Sequence, residues 1–199
     1  MNIQKNNNVQ DQKLKLNLGC GSKMLAGYVN VDMYGEPDLV FNLEQTPWPW
    51  EENSVEEIIF HHSLEHMGQQ SDVYLSIIKE IYRVCCHKAR LYISVPHPRH
   101  DHFITDPTHV RMITPNGLKM FSKKLNRYWV EINAANTPLG LYLDVDLDVI
   151  NTKMVLDRVW QERVNSGEVS NAEVNQAASS QWNVIKEIKM TVEVLKEDQ

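Results

Sequence analysis

The segments Val55-Glu56-Glu57-Ile58-Ile59-Phe60, Ser71 to Cys85, and Arg90-Leu91-Tyr92-Ile93-Ser94-Val95 decide the fold class. The two outer segments are short, apolar and rich in β-branched residues, as strands buried on both faces are. Between them Ser71 stands as N-cap and Asp72 in the first turn, while Tyr74, Ile77, Ile78, Ile81 and Cys85 recur at helical spacing. A strand, a helix of about four turns and a second strand form a βαβ unit. That unit requires parallel pairing and a right-handed crossover.

The same reading extends in both directions. Upstream, strands are expected at Leu14 to Leu18, Tyr28 to Met33 and Asp38 to Leu43. Downstream, Pro115 and Asn116 precede a short helix from Gly117 to Phe121. The alternation of Leu143, Val145, Leu147 and Val149 with Asp144, Asp146 and Asp148 predicts a strand with one wet face. Ser170 and Glu173 form a capping box ahead of a helix whose apolar face holds Val174, Ala177, Ala178 and Trp182, and Ile188, Met190, Val192 and Val194 alternate in a last strand. Parallel units followed by alternating strands predict an α/β domain: an open, Rossmann-like, mostly parallel sheet with an antiparallel C-terminal edge and helices on both faces. Residues 1 to 13, rich in Asn, Gln and Lys, are expected to be a flexible arm ahead of one domain spanning 14 to 199.

Composition narrows the classes of function. The chain has 199 residues, 42% of them apolar, and a net charge of −6. This is a folding composition without the basic field that favours nucleic acid or anionic lipid. No apolar run approaches the roughly 20 residues of a membrane span, and the N-terminus lacks the apolar core of a signal peptide. Cys20 and the adjacent Cys85 and Cys86 match no zinc-ligand spacing and no disulfide framework, so a reducing cytoplasm is the expected location.

In an open parallel sheet, ligands bind beyond the carboxyl ends of the strands. There the chain carries Asn17-Leu18-Gly19-Cys20-Gly21, Asp32, Asn42, His61-His62 and Pro96-His97. Gly19 and Gly21 permit a tight turn and close approach of backbone to ligand, and Asp32 can accept two hydrogen bonds from a ribose diol. A nucleoside-containing cofactor follows. The dinucleotide fingerprint does not fit: its third glycine is Met24, and Asp32 follows Gly19 by only 13 residues instead of about 20.

These residues carry a resemblance. The segments Leu16-Asn17-Leu18-Gly19-Cys20-Gly21, Val29-Asn30-Val31-Asp32, Asn42 to Trp50, Val55-Glu56-Glu57-Ile58-Ile59 with Ser63-Leu64-Glu65-His66, and Ile81-Tyr82-Arg83-Val84 resemble, in order, the motifs of class I S-adenosylmethionine-dependent methyltransferases, nearest the type 11 branch. The resemblance covers roughly residues 14 to 98 and implies a seven-stranded sheet and S-adenosyl-L-methionine as cofactor. It implies that Asn17, Gly19, Cys20 and Gly21 face the methionine part and that Asp32 holds the ribose. Met33 then lies under the adenine, Asn42 and Leu43 at its edge, and His61 beside the sulfonium. Residues 14 to 98 are then the cofactor half, 99 to 140 a lid and acceptor region, and 141 to 199 the C-terminal strands and helix. The chain departs from the family where Asn17 and Asn42 replace acids, which bears on cofactor affinity, and where His87-Lys88-Ala89 replaces Pro-Gly-Gly.

All eight histidines lie between residues 61 and 109. His97, His102 and His109 are the expected bases toward a small-molecule acceptor, with Asp106 as orienter and Arg111 available to an acceptor carboxylate or phosphate. Glu65 and His66 offer acid–base groups too, although in the matched motif they brace the next helix. No metal ligand is expected. The rival readings are a non-catalytic S-adenosylmethionine-binding module and a metal-dependent hydrolase or lyase built on the His-rich loop. Trp48 and Trp50, separated by Pro49, are expected to pack an extended loop onto the sheet, with adenine stacking the alternative.

Overall fold

Seven strands form one mixed sheet in the order β3-β2-β1-β4-β5-β7-β6. The computed structural model describes residues 13 to 196, so apart from Lys13 the expected arm lies outside the described residues. The strands are β1 (Leu14–Leu18), β2 (Val29–Asp32), β3 (Leu39–Val40), β4 (Val55–His61), β5 (Cys85–Pro96), β6 (Leu147–Leu156) and β7 (Ile185–Val194). The first five pair in parallel, and β7 enters antiparallel between β5 and β6. On β1, Leu16, Asn17 and Leu18 are all buried, as a strand covered on both faces requires.

Helix α1 (Ser71–Val84) joins β4 to β5 and buries Tyr74, Ile77, Ile78, Ile81 and Val84. Each fully buried isoleucine contributes about 1.5–3 kcal/mol of transfer free energy. Its N-cap is Gln70, not the expected Ser71, and Cys85 is both its C-cap and the first residue of β5. The expected Pro-Gly-Gly position is a bulge: register shifts between the Val55–Cys85 and Glu57–Arg90 pairs, and Lys88 sits at φ +62°. The links β1–β2, β2–β3 and β3–β4 contain no helix. In the last of them Trp48 and Trp50 pack edge-to-face inside the core, with Trp48 Nε1 donating to the Leu43 carbonyl, so they serve packing.

Between β5 and β6 lie α2 (Asp101–Ile104), α3 (Pro115–Lys119), α4 (Lys123–Glu131) and α5 (Leu139–Leu143); α6 (Arg158–Asn165) and α7 (Asn171–Ser180) precede β7. The strand expected from Leu141 is corrected here. Leu139 to Leu143 is helical and ends on Asp144 at φ +55°, and the strand begins at Leu147. Asp144 pairs with Lys123 Nζ and Asp146 accepts from the Lys123 backbone, so two of the three aspartates cap local structure. The capping box of Ser170 and Glu173 is present. Val174 and Ala177 are buried in a small second core, while Trp182 lies beyond the helix and is exposed. Among the described residues, no helix is long and apolar enough to cross a membrane.

Candidate functional site

At the carboxyl ends of β1, β2 and β4 opens a cavity of about 580 Å³, lined among others by Gly19, Gly21, Asp32, Met33, Phe41, Asn42, Leu43, His62, Ser63, His66 and Thr108. Its volume is within the range of small-molecule and cofactor sites. At one end Asp32 closes β2. Its Oδ2 accepts from Gly21 N–H (2.8 Å) and its Oδ1 from Tyr34 N–H (3.0 Å). Each carboxylate oxygen keeps a lone pair, so the aimed carboxylate can still take both hydroxyls of a diol. Gly19 adopts φ +68°, and a Cβ there would lie 2.4 Å from Ser63 Cβ. Only glycine lets the β1 and β4 tips approach this closely. Met33, Phe41 and Leu43 add an apolar wall.

Other residues assigned to the cofactor stand elsewhere. Asn17 is buried, and its amide donates to Lys23 O and Asn30 Oδ1; it staples the 23–30 loop to β1 and does not line the cavity. Cys20 turns its thiol toward Met24. His61 points its Nε2 at Lys23 Nζ, 2.7 Å away; burial and then that ammonium lower its pKa. His62 lines the cavity in its place, because at φ +53° the chain turns sharply as it leaves β4.

The far end is built from two segments that the sequence separates by about 40 residues. A single 3-10 turn, Leu64–His66, follows β4. The carbonyl of Glu65 accepts from both Val110 and Arg111 N–H at 3.0 Å, clasping residues 106 to 111 against it. His66 Nδ1 lies 2.9 Å from Thr108 Oγ1, which in turn donates to Asp106 Oδ1 at 2.6 Å. The single Thr108 proton is thus engaged, and His66 Nδ1–H is the donor. The Glu65 side chain is fully buried, and neither of its oxygens receives a hydrogen bond. His62 Nδ1 stands 3.5 Å from Glu65 Oε1, beyond hydrogen-bond geometry, while its Nε2 meets Glu187 Oε1 at 2.8 Å. The long polar contact with Glu65, more than any other influence, raises the His62 pKa; burial opposes it and Glu187 adds to it.

None of the four expected acid–base residues lines the cavity. His97 Nδ1 accepts from Arg99 N–H, and burial lowers its pKa. His102 and Asp106 border a separate open depression with Thr105 and Pro107. His109 is nearly buried and joins its Nδ1 to the Phe103 carbonyl. Arg111 does not line the cavity; it donates from Nε and Nη2 to Gly68 O and lies over the Tyr74 ring at 4.2 Å. The sequence places His62 and Ser63 at the exit of the fourth strand and Thr108 in the expected acceptor region, but gives none of the three a role of its own. His62 and Ser63 follow a strand end and were open to the strand-exit rule, whereas no local pattern marks Thr108.

No protein-family model and no curated protein sequence matches the chain. Solved structures do. A SAM-dependent methyltransferase from Archaeoglobus fulgidus superposes with a TM-score of 0.53 at 14% identity, over 91% of this chain and 86% of that one. One from Methanosarcina mazei gives 0.52 at 15% identity, over 95% of each chain. The chain shares the fold of these two SAM-dependent methyltransferases.

Proposed function

We propose that the chain transfers a methyl group from S-adenosyl-L-methionine to a small-molecule acceptor, using the cavity at the β1, β2 and β4 tips. The carrying observation is the Asp32 carboxylate, aimed by Gly21 and Tyr34 N–H groups into that cavity beside the Gly19 turn. These residues fit the cofactor. Asp32 would accept from the ribose hydroxyls, Met33, Phe41, Asn42 and Leu43 would receive the adenine, and Gly19 and Gly21 would leave room for the methionine part. The cofactor supplies an electrophilic methyl on a sulfonium, itself a good leaving group.

The chain's own contribution is then positioning. Holding the acceptor in line with the methyl supplies most of the acceleration, because the leaving group needs no protonation. The acceptor enters from the side of His62, Ser63, His66 and Thr108, and residues 99 to 140 provide that wall through the 106–111 clasp. The net charge of −6 counts against nucleic acid as acceptor. Three free cysteines, two of them adjacent, accord with a cytoplasmic setting.

Calorimetric titration tests the reading. S-adenosylmethionine and S-adenosylhomocysteine should bind one per chain and NAD should not. Equal affinity for all three, or no binding, would sink it. Turnover is read separately, as S-adenosylhomocysteine released with a panel of hydroxyl, amine and thiol acceptors.

A further inference from the structure

We propose that Glu65, His66 and His109 form a binding site for a divalent first-row transition-metal ion of the zinc or ferrous class, at the acceptor end of the cavity. The sequence raises a metal only as a rival reading of the His-rich loop, and this particular trio is brought together by the clasp of residues 106 to 111 onto the Glu65 carbonyl.

The first observation is Glu65. Its side chain is fully buried, neither carboxylate oxygen receives a hydrogen bond of good geometry, and the nearest ring nitrogen, His62 Nδ1, stands off at 3.5 Å. Buried carboxylates are ordinarily paired, hydrogen-bonded or bound to a metal, because removing the charge from water is costly. The second is the state of the two imidazoles. His109 Nδ1 lies 2.9 Å from the Phe103 carbonyl, which can only accept, so Nδ1 carries a proton and the neutral ring presents its lone pair on Nε2. His66 Nδ1–H donates to Thr108 Oγ1, which leaves its Nε2 in the same state. One ligand atom from each of the three residues lies within 4.8 Å of the others.

With the rings neutral, acceptors face acceptors. His109 Nε2 stands 4.0 Å from Glu65 Oε1 and 3.8 Å from Asp106 Oδ2. A hydrogen-bonded imidazolium would close that gap, as the nearby His62–Glu187 pair does at 2.8 Å. A shared cation does not require closure so far: donors around a tetrahedral zinc stand about 3.4 Å apart, reached from here by roughly an ångström of side-chain movement. Each histidine also holds its second nitrogen on a protein acceptor, Phe103 O or the Thr108–Asp106 pair, as metal-ligating histidines do. Two imidazoles and one carboxylate select zinc or ferrous iron over magnesium or calcium, which prefer all-oxygen sets. The second grouping of this kind, His61, His62 and Glu187, has its nitrogens engaged by Lys23 and Glu187.

His66 lines the cavity, so an open coordination position would face the acceptor. An acceptor hydroxyl or thiol ligated there would lose its proton to solvent near neutral pH. Its oxygen or sulfur would then bond to the methyl carbon as the carbon–sulfonium bond breaks, releasing S-adenosylhomocysteine. That role rests on the methyl-transfer reading; the binding of the ion does not.

The experiment uses the full chain, stripped with chelator and freed of any purification tag. It is titrated with Zn²⁺ by calorimetry and with Co²⁺ by visible absorption. One ion per chain is expected, with cobalt bands of a low-coordinate nitrogen–oxygen site. Glu65→Gln and His109→Gln should each weaken Zn²⁺ binding by 100-fold or more while circular dichroism stays unchanged. His62→Gln with Glu187→Gln should leave it within a few-fold. Absence of saturable binding overturns the proposal, as does binding lost only in the His62/Glu187 variant. If one Gln variant fails to fold, the other and the cobalt spectrum still decide. Titration of metal-free protein with S-adenosylmethionine separates the two readings. Zinc binding without cofactor binding sinks methyl transfer alone, and cofactor binding without zinc binding sinks the metal site alone.

Discussion

The two ends of the cavity differ in how charge is treated. At the nucleoside end the Asp32 carboxylate takes one backbone N–H on each oxygen and sits at the rim, within reach of water. At the acceptor end the Glu65 carboxylate is fully enclosed and receives no hydrogen bond, with ring nitrogens at 3.5 and 4.0 Å. A preformed, satisfied carboxylate recognises a neutral polar ligand at little cost to the fold. An enclosed and unsatisfied one is a strain that the fold tolerates only where something else completes it. The contrast teaches that a satisfied carboxylate facing the cavity and an unsatisfied one enclosed behind its wall can coexist within a few residues of the same sheet edge, and it can be broken from either side.

The largest effect is expected on the scaffold under the nucleoside end. Glu80 accepts from the Trp48 N–H and from Arg83, which also donates to the Trp48 and Trp50 carbonyls and so fixes the loop that runs on from Leu43. Glu80→Ala leaves the Arg83 charge without its partner and should cost about 3–5 kcal/mol of unfolding free energy in urea. Burial alone would raise the Glu80 pKa, but the hydrogen bonds from Arg83 and Trp48 outweigh it and hold it below the ordinary 4.5. The stability it contributes is therefore complete above about pH 4.5 and is lost as pH falls through the lowered native value. Acid unfolding of Glu80→Gln should lack that component.

Next in size is Asp32→Ala, which would remove the two hydrogen bonds proposed to the ribose. S-adenosylmethionine affinity should fall on the order of 100-fold, about 2.7 kcal/mol by calorimetry, with a thermal midpoint moved only slightly. An unchanged affinity would take Asp32 out of the site and erase the contrast between the two ends.

How far the sequence discloses each end follows from the same difference. Gly19, Gly21 and Asp32 sit at strand exits read from local apolar runs, and the Asp32–Gly21 contact spans only eleven residues. The topology rule for parallel sheets then suffices. The acceptor end is assembled by Val110 and Arg111 folding back onto the Glu65 carbonyl, a pairing that no periodicity announces. Hence His97 and His102 looked as eligible as His66, and Thr108 carried no mark. His61 and His62 were indistinguishable until the φ of +53° at His62 showed which ring enters the cavity. The mistaken strand from Leu141 has a similar cause: alternation of leucine and valine with aspartate is also what a short helix ending on capping aspartates produces when its contacts with Lys123 are unknown.

The smallest expected effect is the most diagnostic, because its sign is unusual. In chelator-treated protein Glu65→Gln exchanges an enclosed charge for a neutral amide of the same shape, whose N–H₂ can meet the His109 Nε2 lone pair. Removing a buried charge that is only loosely met by the His62 and His109 rings should stabilise by about 1–2 kcal/mol, raising the thermal midpoint roughly 2–8 °C for a chain of this size. Most substitutions at a fully buried polar position lower it. With zinc present the order should invert, since wild type gains the binding free energy of the ion and the variant does not. A midpoint lowered in both conditions would mean that Glu65 already has a partner in the folded chain, and the two ends of the cavity would then differ in location but not in kind.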